Sequence, residues 1–166
     1  HAGFSKKATI LFTISLVSGV LVFSIITFNR NKVWKNGVTL FSDVIAKNPN
    51  EFMGYHGRGL AKSMMKDYEG AIADFSVSYQ FPNSYMEKAL AKEKLNDITG
   101  AMDDYLQAIR LKPDYEEAYY HRGVLKMNKL LDYEGAIADF TEAIRILPEY
   151  FQAFNDRAVA KEKMSD

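Results

Sequence analysis

No cysteine occurs among the 166 residues of the chain. That absence rules out a disulfide framework and any thiolate metal site, and it leaves the redox compartment unread. Net charge is missing too, since 21 basic side chains balance 21 acidic ones. Phosphate binding needs a clustered basic excess, so this balance argues against nucleic acid as the main partner. Enzymatic patterns are equally scarce. The sequence carries no Ser–His–Asp order, no Gly-rich phosphate loop and no helix-borne His pair. The doublets Asp103-Asp104 and Glu116-Glu117 are adjacent in sequence and diverge on a helix, which makes them solvated or ion-paired groups rather than a catalytic pair. The chain by itself reads as a non-enzyme without cofactor.

Acid is absent from the N-terminal stretch, where nothing precedes Asp43, while Lys6, Lys7, Arg30, Lys32 and Lys35 cluster there. Between the basic groups runs Ala8–Phe28, ATILFTISLVSGVLVFSIITF, 21 residues without a charge. As a helix it would span about 31 Å at 1.5 Å per residue, against about 30 Å of bilayer hydrocarbon. A signal peptide has a shorter apolar stretch and an A-x-A-like cleavage site, and a buried core helix of this length would show a polar face. The segment is therefore expected to cross a membrane. Counting Lys and Arg on the two flanks leans weakly toward a cytoplasmic C-terminal region. The start at His1 rather than Met predicts a fragment of a longer protein. A secreted protein that loses everything up to Phe28 is a lesser alternative.

What the sequence has in abundance is repetition. DYEGAIADF stands at Asp67–Phe75 and recurs unchanged at Asp132–Phe140, with DITGAMDDY at Asp97–Tyr105 between them. Each copy reads as two helices. Asp67, Asp97 and Asp132 are N-caps of the second helix, because a carboxylate accepts the free amide hydrogens of a first turn. Gly70-Ala71, Gly100-Ala101 and Gly135-Ala136 follow, then Phe75, Tyr105 and Phe140, then Ser78, Ala108 and Ala143. Spacings of four and three put small and large residues on one face for close helix packing. Pro82, Pro113 and Pro148 are expected to stop each second helix. The first helices carry RGLAK, KALAK, RGVLK and RAVAK at 58–62, 88–92, 122–126 and 157–161, preceded by Tyr55, Tyr85, Tyr119 and Phe154.

These residues resemble the tetratricopeptide repeat family over about residues 50–166. Tyr55, Gly59, Ala71, Phe75, Ser78 and Pro82 fill the family's motif in one copy, and Tyr119, Gly123, Ala136, Phe140, Ala143 and Pro148 fill it in another. The resemblance implies an all-α, right-handed superhelical solenoid of antiparallel helix pairs, preceded here by one transmembrane helix. The expected organisation is an anchor with basic flanks at 1–30, a half-repeat helix at 31–50 and an array over 51–166. The array divides into 51–82, 83–113, 114–148 and a truncated 149–166. The half-copy keeps phase through Trp34, Gly37, Phe41, Val44 and Pro49, so the array is expected to stack directly on the membrane helix. Against the family's regular period, the step from Ala71 to Ala101 is short and that from Ala101 to Ala136 slightly long. This predicts that the second copy has lost about one helical turn. A narrower resemblance lies in Val33–Asn50, which is similar to the junction before the repeats of O-mannosyltransferase-like membrane glycosyltransferases. It implies that the chain is the non-catalytic, acceptor-recruiting tail of such an enzyme.

Function is expected to be binding of a protein or peptide on the concave face, lined by the first helices. Met53, His56, Leu60, Met64, Met86, Leu90, Tyr120, His121, Val124, Met127 and Asn155 are the candidates, since Met-rich, aromatic-dotted grooves adapt to apolar helices or extended segments. Each has a plainer reading as a core residue at a helix contact. The Lys, Asn and Arg clamp that some family members use for a C-terminal carboxylate is absent. Arg58, Lys88 and Arg122 recur in phase with Asp74, Asp104 and Asp139, which predicts ion pairs within each repeat, worth about 0–1 kcal/mol each if exposed. His56 and His121 lack carboxylate neighbours in sequence and make a poor metal site. The last copy leaves Phe151 and Phe154 without a covering helix, so this edge is an association surface or is continued by further repeats, self-association included.

Overall fold

The computed structural model describes residues 35–165, and these are helical throughout apart from short connections. The expected membrane span at Ala8–Phe28 and Trp34 lie outside the described residues. No helix among the described residues is long and apolar enough to cross a membrane. Among the described residues eight α-helices follow one another: α1 (Gly37–Lys47), α2 (Phe52–Met64), α3 (Tyr68–Val77), α4 (Pro82–Lys94), α5 (Ile98–Leu111), α6 (Glu116–Leu125), α7 (Tyr133–Ile146) and α8 (Phe151–Ser165). Each packs on its neighbours in the chain, and α2 also touches α4. The first helices α2, α4, α6 and α8 thus form one row and the second helices α1, α3, α5 and α7 another, in an all-α solenoid of tetratricopeptide type.

The starts of the second helices follow from one device. Asp67, Asp97 and Asp132 each accept a hydrogen bond from the amide of the glycine three residues on, at 3.0, 3.0 and 2.9 Å. That satisfies a first-turn donor left open by helix geometry. Before each cap the chain passes through a left-handed residue, Lys66 (φ 64°), Asn96 (φ 60°) and Leu131 (φ 54°). The capping aspartate then donates its own amide back to Lys62, Lys92 or Lys126.

Two departures from a regular period are resolved differently. The missing turn falls on α3, which has 10 residues where α5 and α7 have 14 each. The second copy is not itself shortened, because its first helix α4 keeps 13 residues, as many as α2. Pro82 is the reason the connection closes: it stands at the N-terminus of α4, where its missing N–H removes no bond. It opens α4 and does not stop α3, which already ends at Val77, whereas Pro113 and Pro148 stand just beyond the ends of α5 and α7 as expected. The extra residue in the third copy is absorbed at Lys126–Leu130, a π-helical turn that continues α6.

Packing between the two helices of a repeat rests on a large residue set against a small one. A Cβ placed on Gly59 would come within 2.6 Å of the Phe75 ring, and one on Gly123 within 2.8 Å of the Phe140 ring. Only a missing side chain lets the rings seat there. Phe75, Tyr105 and Phe140 are the largest wholly enclosed side chains, each at most 1 % exposed. Burial of one such ring is worth about 1.5–3 kcal/mol. A central core gathers around Tyr105, Leu125 and Tyr115, and a C-terminal one around Phe140, Ala143 and Ala153.

Candidate functional site

One buried carboxylate sits between the helices of each of the pairs α2–α3, α4–α5 and α6–α7. Asp74, Asp104 and Asp139 are 3–4 % exposed, and each is held by two cations from the first helix, not one. Arg58 and Lys62 reach Asp74 at 2.7 and 2.8 Å. Lys88 and Lys92 reach Asp104 at 2.9 and 2.7 Å, and Arg122 and Lys126 reach Asp139 at 2.6 and 2.9 Å. The second cation also donates to a carbonyl, that of Gly70, Gly100 or Gly135. Burial pushes the Asp74 carboxyl up, and the hydrogen bonds and charges of Arg58 and Lys62 outweigh it, so the group lies below its ordinary value. The first cation stacks in turn on an aromatic three residues earlier: Arg58 on Tyr55, Lys88 on Tyr85 and Arg122 on Tyr119, at 5.0–5.5 Å. The π-helical turn keeps Lys126 in this arrangement despite the added residue. These charges are consumed internally and are structural.

The opposite side of the first-helix row carries the other candidates. Met53 and Met64 are exposed, as is Asn155, while His56, Leu60, Leu90, Tyr120, His121, Val124 and Met127 are half-buried. Met86 is 6 % exposed and belongs to the central core, with Leu90 packed against that core. Tyr120, Val124 and Met127 lean on the C-terminal core. His56 and His121 lie in separate settings. The His56 ring places Nδ1 2.8 Å from the hydroxyl of buried Ser84, which lies 2.8 Å from that of Ser78. The His121 ring stacks parallel on Tyr105, 6.4 Å between centroids. Burial lowers both imidazoles below their ordinary value; Glu93 opposes the effect at His121. Among the described residues no group of three or more His, Asp or Glu could hold a metal ion.

Acid and tyrosine dominate the C-terminal half of this face, which the apolar and methionine pattern did not reveal. Tyr105 donates to Glu93, and Tyr120 donates to Asp156 of α8 at 2.9 Å. Tyr120 packs on Tyr150 at 4.9 Å. Glu87 of α4 is raised by burial and by the charge of Glu117 on α6. Tyr115 and Tyr150 are both pushed up to about 12, first by burial and then by Glu117, with Glu87 and Glu116 adding at Tyr115 and Glu116 and Asp156 at Tyr150. The five carboxylates from α4, α6 and α8 thus act on one another or on the same tyrosines. Lys112 stands over the Tyr115 ring at 4.4 Å. The sequence signal was present in Glu87, Glu117 and Asp156, at successive first helices, but adjacent Glu116-Glu117 looks like ordinary solvated charge.

Comparison with known proteins agrees with this architecture. Residues 89–129 match the tetratricopeptide-repeat family model. No curated protein matches the chain in sequence. The fold is similar to the crystal structure of MamA, with TM-score 0.71 and 20 % identity over 77 % of each chain. It is also similar to the first tetratricopeptide domain of Spaghetti (RPAP3) bound to the HSP90 peptide SRMEEVD, with TM-score 0.66 and 21 % identity, covering 70 % of this chain and 94 % of that one. The second such domain of human RPAP3, in complex with the HSP70 peptide SGPTIEEVD, gives TM-score 0.60 and 24 % identity, covering 64 % and 92 %.

Proposed function

We propose that the chain is a protein-binding scaffold whose first-helix face takes a peptide or helix carrying Lys or Arg beside apolar side chains. Two of the structurally similar domains hold acidic peptides, and their use of this fold supports peptide binding here. The observation that sets the class of ligand is the carboxylate row Glu87, Glu117 and Asp156 along α4, α6 and α8. An incoming carboxylate would meet like charge there, whereas a cation gains Coulomb energy and an aromatic face, about 0.5–2 kcal/mol per stacked cation. Exposed Met53, Met64 and Asn155 extend the same face with adaptable apolar and polar contact. In this reading Ala8–Phe28 tethers the scaffold to a membrane, supported by its 21 uncharged residues between basic flanks. The Val33–Asn50 resemblance supports a second reading, in which the scaffold recruits acceptors for a membrane glycosyltransferase.

Fluorescence anisotropy on the whole chain in detergent micelles tests the proposal. A labelled peptide alternating Lys or Arg with Leu and Phe is expected to bind saturably, and a peptide ending in EEVD is expected not to. Preference for the acidic peptide would overturn the assignment of ligand charge, and binding of neither would overturn the scaffold reading itself.

A further inference from the structure

The turns from first to second helix, α2 to α3, α4 to α5 and α6 to α7, fall on one edge of the solenoid, and that edge is apolar where surface turns are ordinarily polar. Met65, Leu95, Leu130 and Leu131 stand there 40–65 % exposed. Leu131 occupies the left-handed position that Lys66 and Asn96 fill in the other two turns. A leucine there strains the backbone and joins neither core, so folding alone does not account for it. Exposed Lys66, Lys94 and Lys129 lie in the same three turns. Asp67, Asp97 and Asp132 are turned back onto glycine amides, and Glu69 and Glu134 offset part of the lysine charge. The edge is therefore apolar with mixed charge, not a basic patch.

The chain enters the solenoid at this same edge. The start of α1 meets the end of α2, where a Cβ on Gly37 would fall 2.8 Å from that of Ala61. The uncharged stretch ends at Phe28, and the eight residues 29–36 can extend over at most about 29 Å. With Ala8–Phe28 in a membrane, the reading on which this inference rests, the turn edge is held close to the lipid headgroups. We infer that the edge is a lipid-contact surface, separate from the first-helix face, that seats the solenoid on the bilayer through Met65, Leu95, Leu130 and Leu131. Apolar side chains enter the boundary between headgroups and acyl chains, while the lysines lay their stems along it and keep their ammonium groups at the phosphates. The opposite edge exposes Leu111 and Leu147, but Asp114 and Glu149 accompany them, and Lys47 and Lys112 are engaged by Asp43 and Tyr115. It also lies the length of α1, about 16 Å, from the point of entry. Seating on the turn edge leaves the first-helix face open to its own ligand.

The lack of cysteine allows a single fluorescent label per chain. The whole chain, carrying bimane on Met65→Cys, Leu131→Cys, Leu111→Cys or Leu147→Cys, is reconstituted into phosphatidylcholine vesicles with brominated acyl chains. Resistance to alkaline carbonate extraction reports the tether independently of the label. Lipid quenching at positions 65 and 131 is expected to exceed that at 111 and 147 at least threefold. Met65→Asp with Leu130→Asp, both at exposed positions, should abolish quenching at 131 and leave the helical circular dichroism unchanged. Equal quenching at the two edges, or none at 131 in a chain that resists extraction, would overturn the inference and leave the tether standing. Shielding of position 131 from aqueous iodide without lipid quenching would put a protein or a second copy on the edge, and overturn it too. Release of the chain by carbonate would overturn the tether reading and the inference with it.

Discussion

Arg58 and Asp74 form a two-point ion pair across α2 and α3, with Nε 2.8 Å from Oδ2 and Nη2 2.7 Å from Oδ1. The planar guanidinium fork matches the carboxylate, and Lys62 then occupies the remaining space around Asp74. Because the carboxylate is almost wholly enclosed, it acts as a register pin between helices rather than as a surface ion pair.

Removal of one partner from such a group leaves uncompensated buried charge. Asp139→Ala should therefore lower unfolding stability by about 3 kcal/mol in urea titrations. Joint replacement by Arg122→Met, Lys126→Met and Asp139→Leu should be close to neutral, since a well-packed apolar substitute avoids the desolvation of three charges. A loss of similar size in both variants would show that packing, not charge, holds α6 to α7.

Leu131 carries a backbone penalty that Asn96 largely avoids, because an Asn side chain tolerates the left-handed region and a Leu does not. Leu131 is 65 % exposed, so little burial is lost on its removal. Leu131→Gly is expected to raise stability by about 0.5–1 kcal/mol after the added freedom of the unfolded chain is counted. Thermal melts followed by circular dichroism measure this, and a lower melting temperature would contradict it.

The histidines give stability a pH dependence of fixed sign. His56 and His121 are depressed in the folded protein, so the unfolded chain takes up protons first as pH falls below 6.5. Their contribution is complete above that value and is lost as pH drops toward their folded values. Urea midpoints of the native chain should decline on acidification through this window, and His56→Gln should flatten part of the decline. Identical slopes for the two proteins would contradict the assignment.

Local chemistry made most of the fold legible in the sequence. The Asp–Gly caps, the small-to-aromatic spacing and the basic pairs all depend on residues close in sequence, and all appear as read. The position of the missing turn was not legible. The short step from Ala71 to Ala101 says that residues are gone, but only the start of α4 at Pro82 assigns the loss to α3. The second cation of each ion cluster was visible in RGLAK and its relatives, yet pairing it with the same aspartate requires the distance between helices. The site was less legible. Met86 has the same phase as His56, yet its apolar side chain joins the central core, while the His56 ring stays half-buried with a polar partner in Ser84. Glu87, Glu117 and Asp156 converge only through stacking of α4, α6 and α8, a relationship that no single repeat contains.

The central claim, that the acidic first-helix face selects a basic ligand, is tested most directly by two charge reversals of equal net effect. Glu117 on α6 and Glu134 on α7 are both exposed and lie in different rows. Affinity for the basic peptide should fall at least tenfold in Glu117→Lys and less than twofold in Glu134→Lys, at fixed ionic strength. Equal losses in the two variants, or a loss confined to Glu134→Lys, would contradict the account.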